Sequence, residues 1–256
     1  MTMDKRPTGS RWLLITGGSR GIGAATARLA ARQGWDVVVN FVRDATAAEA
    51  VAAEVRALGR QARLLQADVA QPQEVLSLFA TLDREQITLS GLVNNAGVVD
   101  VAARLDEMGA DRLQRMFAIN VLGSMNCARE AVRRMSTRHG GSGGAIVNLS
   151  SVAARLGAPG QYLDYAAAKG AIDVFTLGLA KEVAAEGIRV NAVRPGIIDT
   201  DIHASGGQPE RAAQMAPQVP MQRAGTADEV AQAIVWLLSD EASYTTGSVI
   251  DVAGGR

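Results

Sequence analysis

The sequence predicts a doubly wound α/β fold, on three observations. Short apolar runs alternate with amphipathic segments along the whole chain, the pattern of parallel strands joined by crossover helices. Several of the apolar runs are continuous rather than alternating, as expected of strands covered on both faces. A glycine-rich turn also lies between the first strand-like run and the first helix-like run.

In chain order, residues 1–10 are charged and carry no apolar core, so a flexible tail without a signal peptide is expected. Strands are expected at Trp12–Thr16, Asp36–Asn40, Arg63–Ala67, Gly91–Asn94, Ala145–Leu149, Arg189–Val193 and Ser248–Val252. Helices are expected at Ile22–Gln33, Ala45–Leu58, Gln73–Arg84, Ala110–Arg138, Tyr165–Glu186 and Ala227–Ser239. Two segments break the alternation. Residues 139–144 read as a flexible surface turn. Residues 199–225, with Gly206, Gly207, Pro209, Pro217 and Pro220, fit no strand. They follow a strand's carboxyl end, where open α/β sheets bind ligands, so a mobile lid is the expectation.

Composition bounds the function. A 256-residue chain that is 48% hydrophobic and 20% charged can bury a full core. Lys+Arg and Asp+Glu both number 26, so no global charge draws it to nucleic acid or to a membrane, and aromatics are only 4%. The single cysteine, Cys127, excludes an internal disulfide or a cysteine-cluster zinc site and reads as a small core residue. No metal site is expected. With no apolar run as long as a membrane span, a cytoplasmic protein is expected.

The turn after the first strand reads Thr16, Gly17, Gly18, Ser19, Arg20, Gly21, Ile22, Gly23. Glycines here let the backbone approach a pyrophosphate, and the helix beginning near Ile22 directs free N–H groups at it. After the second strand, where an acidic residue would select NAD(H), this chain has Asn40, with Arg43 beyond and Arg20 in the loop. Guanidinium forks match a 2′-phosphate, so NADP(H) is expected over NAD(H). Downstream, Tyr165 and Lys169 are four residues apart and so share a helix face, where an ammonium favours phenolate and lowers the tyrosine pKa.

With the glycine loop, Asn94-Asn95-Ala96-Gly97 and Tyr165-x3-Lys169 in one chain, the sequence resembles the short-chain dehydrogenase/reductase family from about residue 11 to 255. The resemblance implies a single Rossmann domain over 11–256 with a seven-stranded parallel sheet and helices on both faces. It implies that Tyr165 is the acid/base and that Lys169 lowers its pKa and holds the nicotinamide ribose. Ser151 would bond the substrate oxygen, with Ser150 the adjacent alternative, and Asn120 would hold a proton-relay water. For the cofactor it implies Gly17, Ser19, Arg20, Gly21, Ile22 and Gly23 at the phosphates, and Asp68 and Val69 beside the adenine. Asn94, Ala96 and Gly97 would line the cleft, and Pro195, Gly196, Ile198 and Thr200 would hold the carboxamide. It further implies a homotetramer built on the two long helices, with Ala166, Ala167, Ala168 and Ala171 allowing close approach.

The activity so implied is hydride transfer between nicotinamide and a carbonyl or secondary alcohol. Candidate substrate walls carry Val98, Val99, Leu156, Tyr162, Leu163, Ile202, Met215 and Met221, an apolar set favouring an acyl-bearing or general ketone. His203 in the same region is a candidate contact for an anionic substrate group or an unengaged surface histidine. A sugar dehydrogenase of the same family, and a non-catalytic NADP(H)-binding redox sensor, are the alternatives.

Overall fold

Seven parallel strands form one sheet in the order β3-β2-β1-β4-β5-β6-β9 in the computed structural model, which describes residues 11–256. The expected tail, 1–10, and the His203 side chain lie outside the described residues. The strands are β1 (Arg11–Ile15), β2 (Trp35–Phe41), β3 (Ala62–Gln66), β4 (Leu89–Asn94), β5 (Gly144–Leu149), β6 (Ile188–Pro195) and β9 (Val249–Val252). Two further strands, β7 (Ile198–Asp199) and β8 (Gly225–Thr226), pair only with each other.

The helices are α1 (Gly21–Arg32), α2 (Ala45–Ala57), α3 (Pro72–Arg84), α4 (Ala110–Phe117), α5 (Ser124–Met135), α6 (Ala153–Leu156), α7 (Leu163–Val183), α8 (Ile202–Ser205), α9 (Arg211–Met215) and α10 (Ala227–Leu238). Strand side chains alternate between two cores. Leu13, Ile15, Val37 and Val39 pack under α1, α2 and α10. Trp12, Leu14, Val38 and Ile146 pack under α3, α5 and α7. Both faces are therefore covered, which explains the continuous apolar runs. No described helix is long and apolar enough to cross a membrane.

Helix ends follow local chemistry. Pro72 opens α3, where its missing N–H costs no hydrogen bond. Thr226 and Glu229 cap α10 reciprocally: the Thr226 hydroxyl accepts from the Glu229 N–H at 3.2 Å and Glu229 accepts from the Thr226 N–H at 2.8 Å.

Three expectations need correction. The helix expected over Ala110–Arg138 is broken by a π turn, Ala118–Gly123, which inserts extra backbone at Asn120. The turn at 139–144 is tied back, Gly143 N–H donating to Met135 O at 2.7 Å and Gly141 N–H to Ser136 O at 2.9 Å. Of the four alanines expected to face a partner, Ala166 and Ala168 are buried inside the subunit, Ala171 is half-buried against Met116 and Val121, and only Ala167 is exposed.

Candidate active site

Strand order reverses between β1 and β4, and the crevice at that switch point receives the loops after both strands. Thr16 stitches them together. Its hydroxyl accepts from the N–H groups of Asn95 and Ala96, both at 3.0 Å. Asn95, a residue the sequence reading passed over, donates its side-chain amide to the carbonyls of Thr16 and Gly17, both at 2.9 Å. Gly17 has φ +61°, and a Cβ on Gly23 would lie 2.6 Å from the Gly17 oxygen, so neither position tolerates a side chain.

Helix α1 starts without a side-chain cap and without an acidic residue in its first turn. Its leading N–H groups and positive end therefore remain available to an anion. The Arg20 and Arg43 side chains are exposed, and neither pairs with an acidic side chain among the described residues. An uncapped helix start, a loop without side chains and two unpaired guanidiniums fit a dinucleotide phosphate chain.

Asn40 and Asn94 do not face this cleft as expected. Asn40 is buried, accepting from Gly17 N–H at 3.2 Å and donating to the carbonyls of Leu65 and Ala67 at 3.2 and 2.9 Å. It props the loop from behind. Asn94 is also buried, donating to Ser124 O at 3.1 Å and to Asn148 Oδ1 at 2.9 Å. It ties β4 to α5 and β5 beneath the cleft. Asp68 and Val69 follow β3, with Asp68 half-buried and accepting from Ala70 N–H at 2.9 Å, and Val69 buried.

A cavity of about 550 Å³ opens beside the loop. Ser151, Tyr165 and Lys169 all line it, together with Ile22, Asn95, Gly97, Pro195, Gly196, Ile198 and Thr200. Of the expected apolar walls, Val99, Leu156, Tyr162, Ile202 and Met215 are present; Val98 and Leu163 lie elsewhere, and Met221 lines a separate cavity.

Helix α7 carries Tyr165 and Lys169 on one face. The Lys169 Nζ donates to Leu149 O at 2.7 Å and lies 5.5 Å from the Tyr165 ring centroid. Ser151 hydrogen-bonds the Tyr165 hydroxyl, while the Ser150 hydroxyl donates to Lys169 O at 3.2 Å. The Ser150 hydroxyl is thus committed to the α7 backbone, although both serines line the cavity. Asn120 is fully buried. It donates to the carbonyls of Val98 and Met116 at 3.1 and 3.0 Å and accepts from Val98 N–H at 3.2 Å. Its amide thus ties the loop after Gly97, through Val98, to the end of α4, through Met116.

The electrostatics also differ from expectation. Burial pushes the Tyr165 phenol up to about 12, against a smaller lowering by Ser151. Burial pulls the Lys169 ammonium down to about 8, against a raising by Asp173 one turn along α7. Desolvation outweighs the attraction of ammonium for phenolate. Near pH 7 the pair stands as neutral phenol beside ammonium, a proton donor next to a positive charge. Asp173 is itself held by Arg194, at 3.0 and 2.9 Å. Among the described residues no cluster of three His, Cys, Asp or Glu is placed to hold a metal ion.

Comparisons with known proteins agree with this geometry. Residues 17–256 match the family profile described as enoyl-(acyl carrier protein) reductase. An uncharacterized oxidoreductase of Escherichia coli (strain K12), YgfF, is 54% identical over 243 residues, spanning 95% of this chain and 98% of its own. The 3-oxoacyl-[acyl-carrier-protein] reductase FabG of Staphylococcus aureus is 37% identical over 244 residues, 94% of this chain and 96% of its own. The crystal structure of acetoin dehydrogenase YohF from Salmonella typhimurium superimposes with a TM-score of 0.86 at 32% identity, covering 96% of this chain and 97% of its own. A glycine loop at the switch point, a tyrosine and lysine on one helix face, and relatives matched over nearly their full length place this chain in the short-chain dehydrogenase/reductase family, as an oxidoreductase that works with a nicotinamide cofactor on CH–OH or carbonyl groups.

Proposed function

We propose that this enzyme is an NADP(H)-dependent reductase, or in reverse a dehydrogenase, of an acyl-bearing or other largely apolar ketone. The observation that carries the reading is the convergence of Ser151, Tyr165 and Lys169 on one cavity beside the phosphate loop. A bound nicotinamide supplies or accepts the hydride.

The chain's own residues do the rest. Gly17, Ser19, Arg20, Gly21, Ile22 and Gly23 hold the phosphates, and Arg20 and Arg43 meet the 2′-phosphate. Asp68 and Val69 border the adenine, and Ala96 and Gly97 line the cleft. Pro195, Gly196, Ile198 and Thr200 hold the carboxamide, and Lys169 the ribose. Asn40, Asn94 and Asn95 position the loops. Ser151 and Tyr165 donate hydrogen bonds to the substrate oxygen, where negative charge gathers. Tyr165 keeps its proton until that charge develops and then gives it up, with the Lys169 ammonium offsetting the phenolate. Asn120 fixes the loop that faces them. The 199–225 segment acts as the lid, since its Ile202 and Met215 close one side of the cavity.

The apolar lining and the 3-oxoacyl reductase among the relatives support the substrate class. The test is NADPH consumption by the purified protein across a panel of ketones, aldehydes and acyl thioesters. Turnover of ketones or acyl thioesters is expected; inactivity on the whole panel with both NADPH and NADH overturns the reading.

A further inference from the structure

The cavity holding Ser151 and Tyr165 is lined by the cationic side chains of Lys169 and Arg211, and among the described residues by no aspartate or glutamate. Lys169 is engaged by Leu149 and stands beside Tyr165. Arg211 has no part in any step derived so far. It opens α9, on the excursion after β6, far in sequence from the phosphate loop. Its Nη2 donates to Gln161 Oε1 and its Nη1 to Gln208 Oε1, both at 2.7 Å, and its guanidinium lies 4.9 Å from the Tyr162 ring centroid. These contacts orient the fork from two sides, yet every one of them is neutral.

Nearby arginines are treated differently by the fold. Arg112 is paired with Asp164, and Arg155 and Arg194 both reach Asp251. Arg211, by contrast, has no acidic partner among the described residues, and it lines the substrate cavity. A guanidinium has five N–H donors, and two are spent, so three remain for a ligand. A half-buried cation with oriented, unspent donors attracts an anionic oxygen group, and planar carboxylates fit it bidentately.

We propose that Arg211 is an anion subsite of the substrate cavity and that the substrate is a keto acid or hydroxy acid, its carboxylate on Arg211 and its carbonyl or carbinol carbon at Ser151 and Tyr165. This rests on the proposed function and narrows it. Leu156, Ile202 and Met215, which line the same cavity, suit the apolar carbons between the two ends. The competing account is that Arg211 only pins the 199–225 excursion to Gln161 and Tyr162.

The test compares acetoacetate and levulinate with their methyl esters on the full chain with its cofactor, reading both equilibrium binding and kcat/KM. Charge-assisted hydrogen bonds predict that each acid binds about ten- to a hundredfold more tightly than its ester. Arg211→Met removes that preference, acting on KM for the acid far more than on KM for the ester, and Arg211→Lys restores part of it. Equal affinity for acid and ester in the wild type, or no binding of the acids, overturns the subsite. So does an equal loss for acid and ester in Arg211→Met, the result of a mere pin. Acids that bind through Arg211 without ever being turned over uphold the subsite and overturn the proposed reaction; esters turned over as well as acids do the reverse.

Discussion

The Lys169 ammonium lies 5.5 Å from the Tyr165 ring centroid, and burial drives their pKa values apart, the phenol up to about 12 and the ammonium down to about 8. The pair is thus held as acid beside cation. Tyr165→Phe keeps the ring and removes the proton. Turnover is expected to fall by about 10² or more, the usual scale of general acid–base catalysis, while NADPH affinity persists. Steady-state kinetics with a fluorescence titration of the cofactor checks both halves. Near-normal turnover in the variant ends the assignment.

Holding Lys169 in the interior costs stability. Its folded pKa is about 8 against an ordinary 10.5, so between those values the unfolded chain binds the proton and the folded chain does not. Stability contributed by this group therefore rises with pH across that window, and below it the full penalty applies, at most about 3 kcal/mol. Lys169→Met removes the penalty but orphans the Leu149 carbonyl, so the net gain is smaller. At pH 7 the variant is expected to melt at or above the wild-type temperature while losing turnover, and its advantage shrinks toward pH 10. Melting curves at the two pH values decide it; a variant much less stable at pH 7 contradicts the burial account.

Asp173 raises the Lys169 pKa from one turn away. Asp173→Asn withdraws that support, so the ammonium loses its proton at lower pH. Where activity needs the ammonium, the alkaline limb of the kcat/KM profile moves to lower pH. An unmoved limb shows that Lys169 is not the group titrating there.

Much of this was readable from the chain. The seven strands end within two residues of their expected bounds, because two-sided burial writes continuous apolar runs into the central ones. The spacing of Tyr165 and Lys169 fixed their shared face, a purely local property of a helix. Tertiary facts were not legible. Whether Asn40 and Asn94 face the cleft or the interior depends on Leu65, Ala67, Ser124 and Asn148, which arrive from other strands and helices. The π turn at Asn120 escaped because one inserted residue barely disturbs a helical apolar pattern. The sign of the Tyr165 shift escaped because desolvation is a property of the packed site.

The proposed cofactor choice rests on Arg20 and Arg43, both exposed and, among the described residues, in no ion pair. NADPH is expected to bind more tightly than NADH. Loss of a charge-assisted bond is worth about 1.5–3 kcal/mol, so Arg43→Ala should narrow the gap by about ten- to a hundredfold. Asn40→Ala, by contrast, should weaken both cofactors together, because Asn40 supports the loop from behind. Titration of both cofactors against the wild type and the two variants tests this; tighter binding of NADH by the wild type reverses the preference.

Apolar side chains stand open on the outer faces of α5 and α7. Val174 is 71% exposed and Leu177 43% on α7, and Leu122, in the π turn that leads into α5, is 54% exposed with Met125 at 40%. Gly170 and Gly178, on the same side of α7 as Val174, have nothing within 4 Å of the Cβ they lack, so this face is free to admit another helix closely. Apolar side chains left this open on consecutive helices are the pattern of a surface awaiting a partner. A closed homotetramer, with α5 and α7 against their symmetry mates, is the expected arrangement. Because α7 also carries Tyr165 and Lys169, sealing its outer face would steady the catalytic face as well. Light scattering coupled to size exclusion should give four times the 26.7 kDa chain mass. Val174→Asp places a charge in that contact and should lower the mass and the turnover together. A wild-type monomer at micromolar concentration refutes the assembly while leaving the catalytic assignments standing.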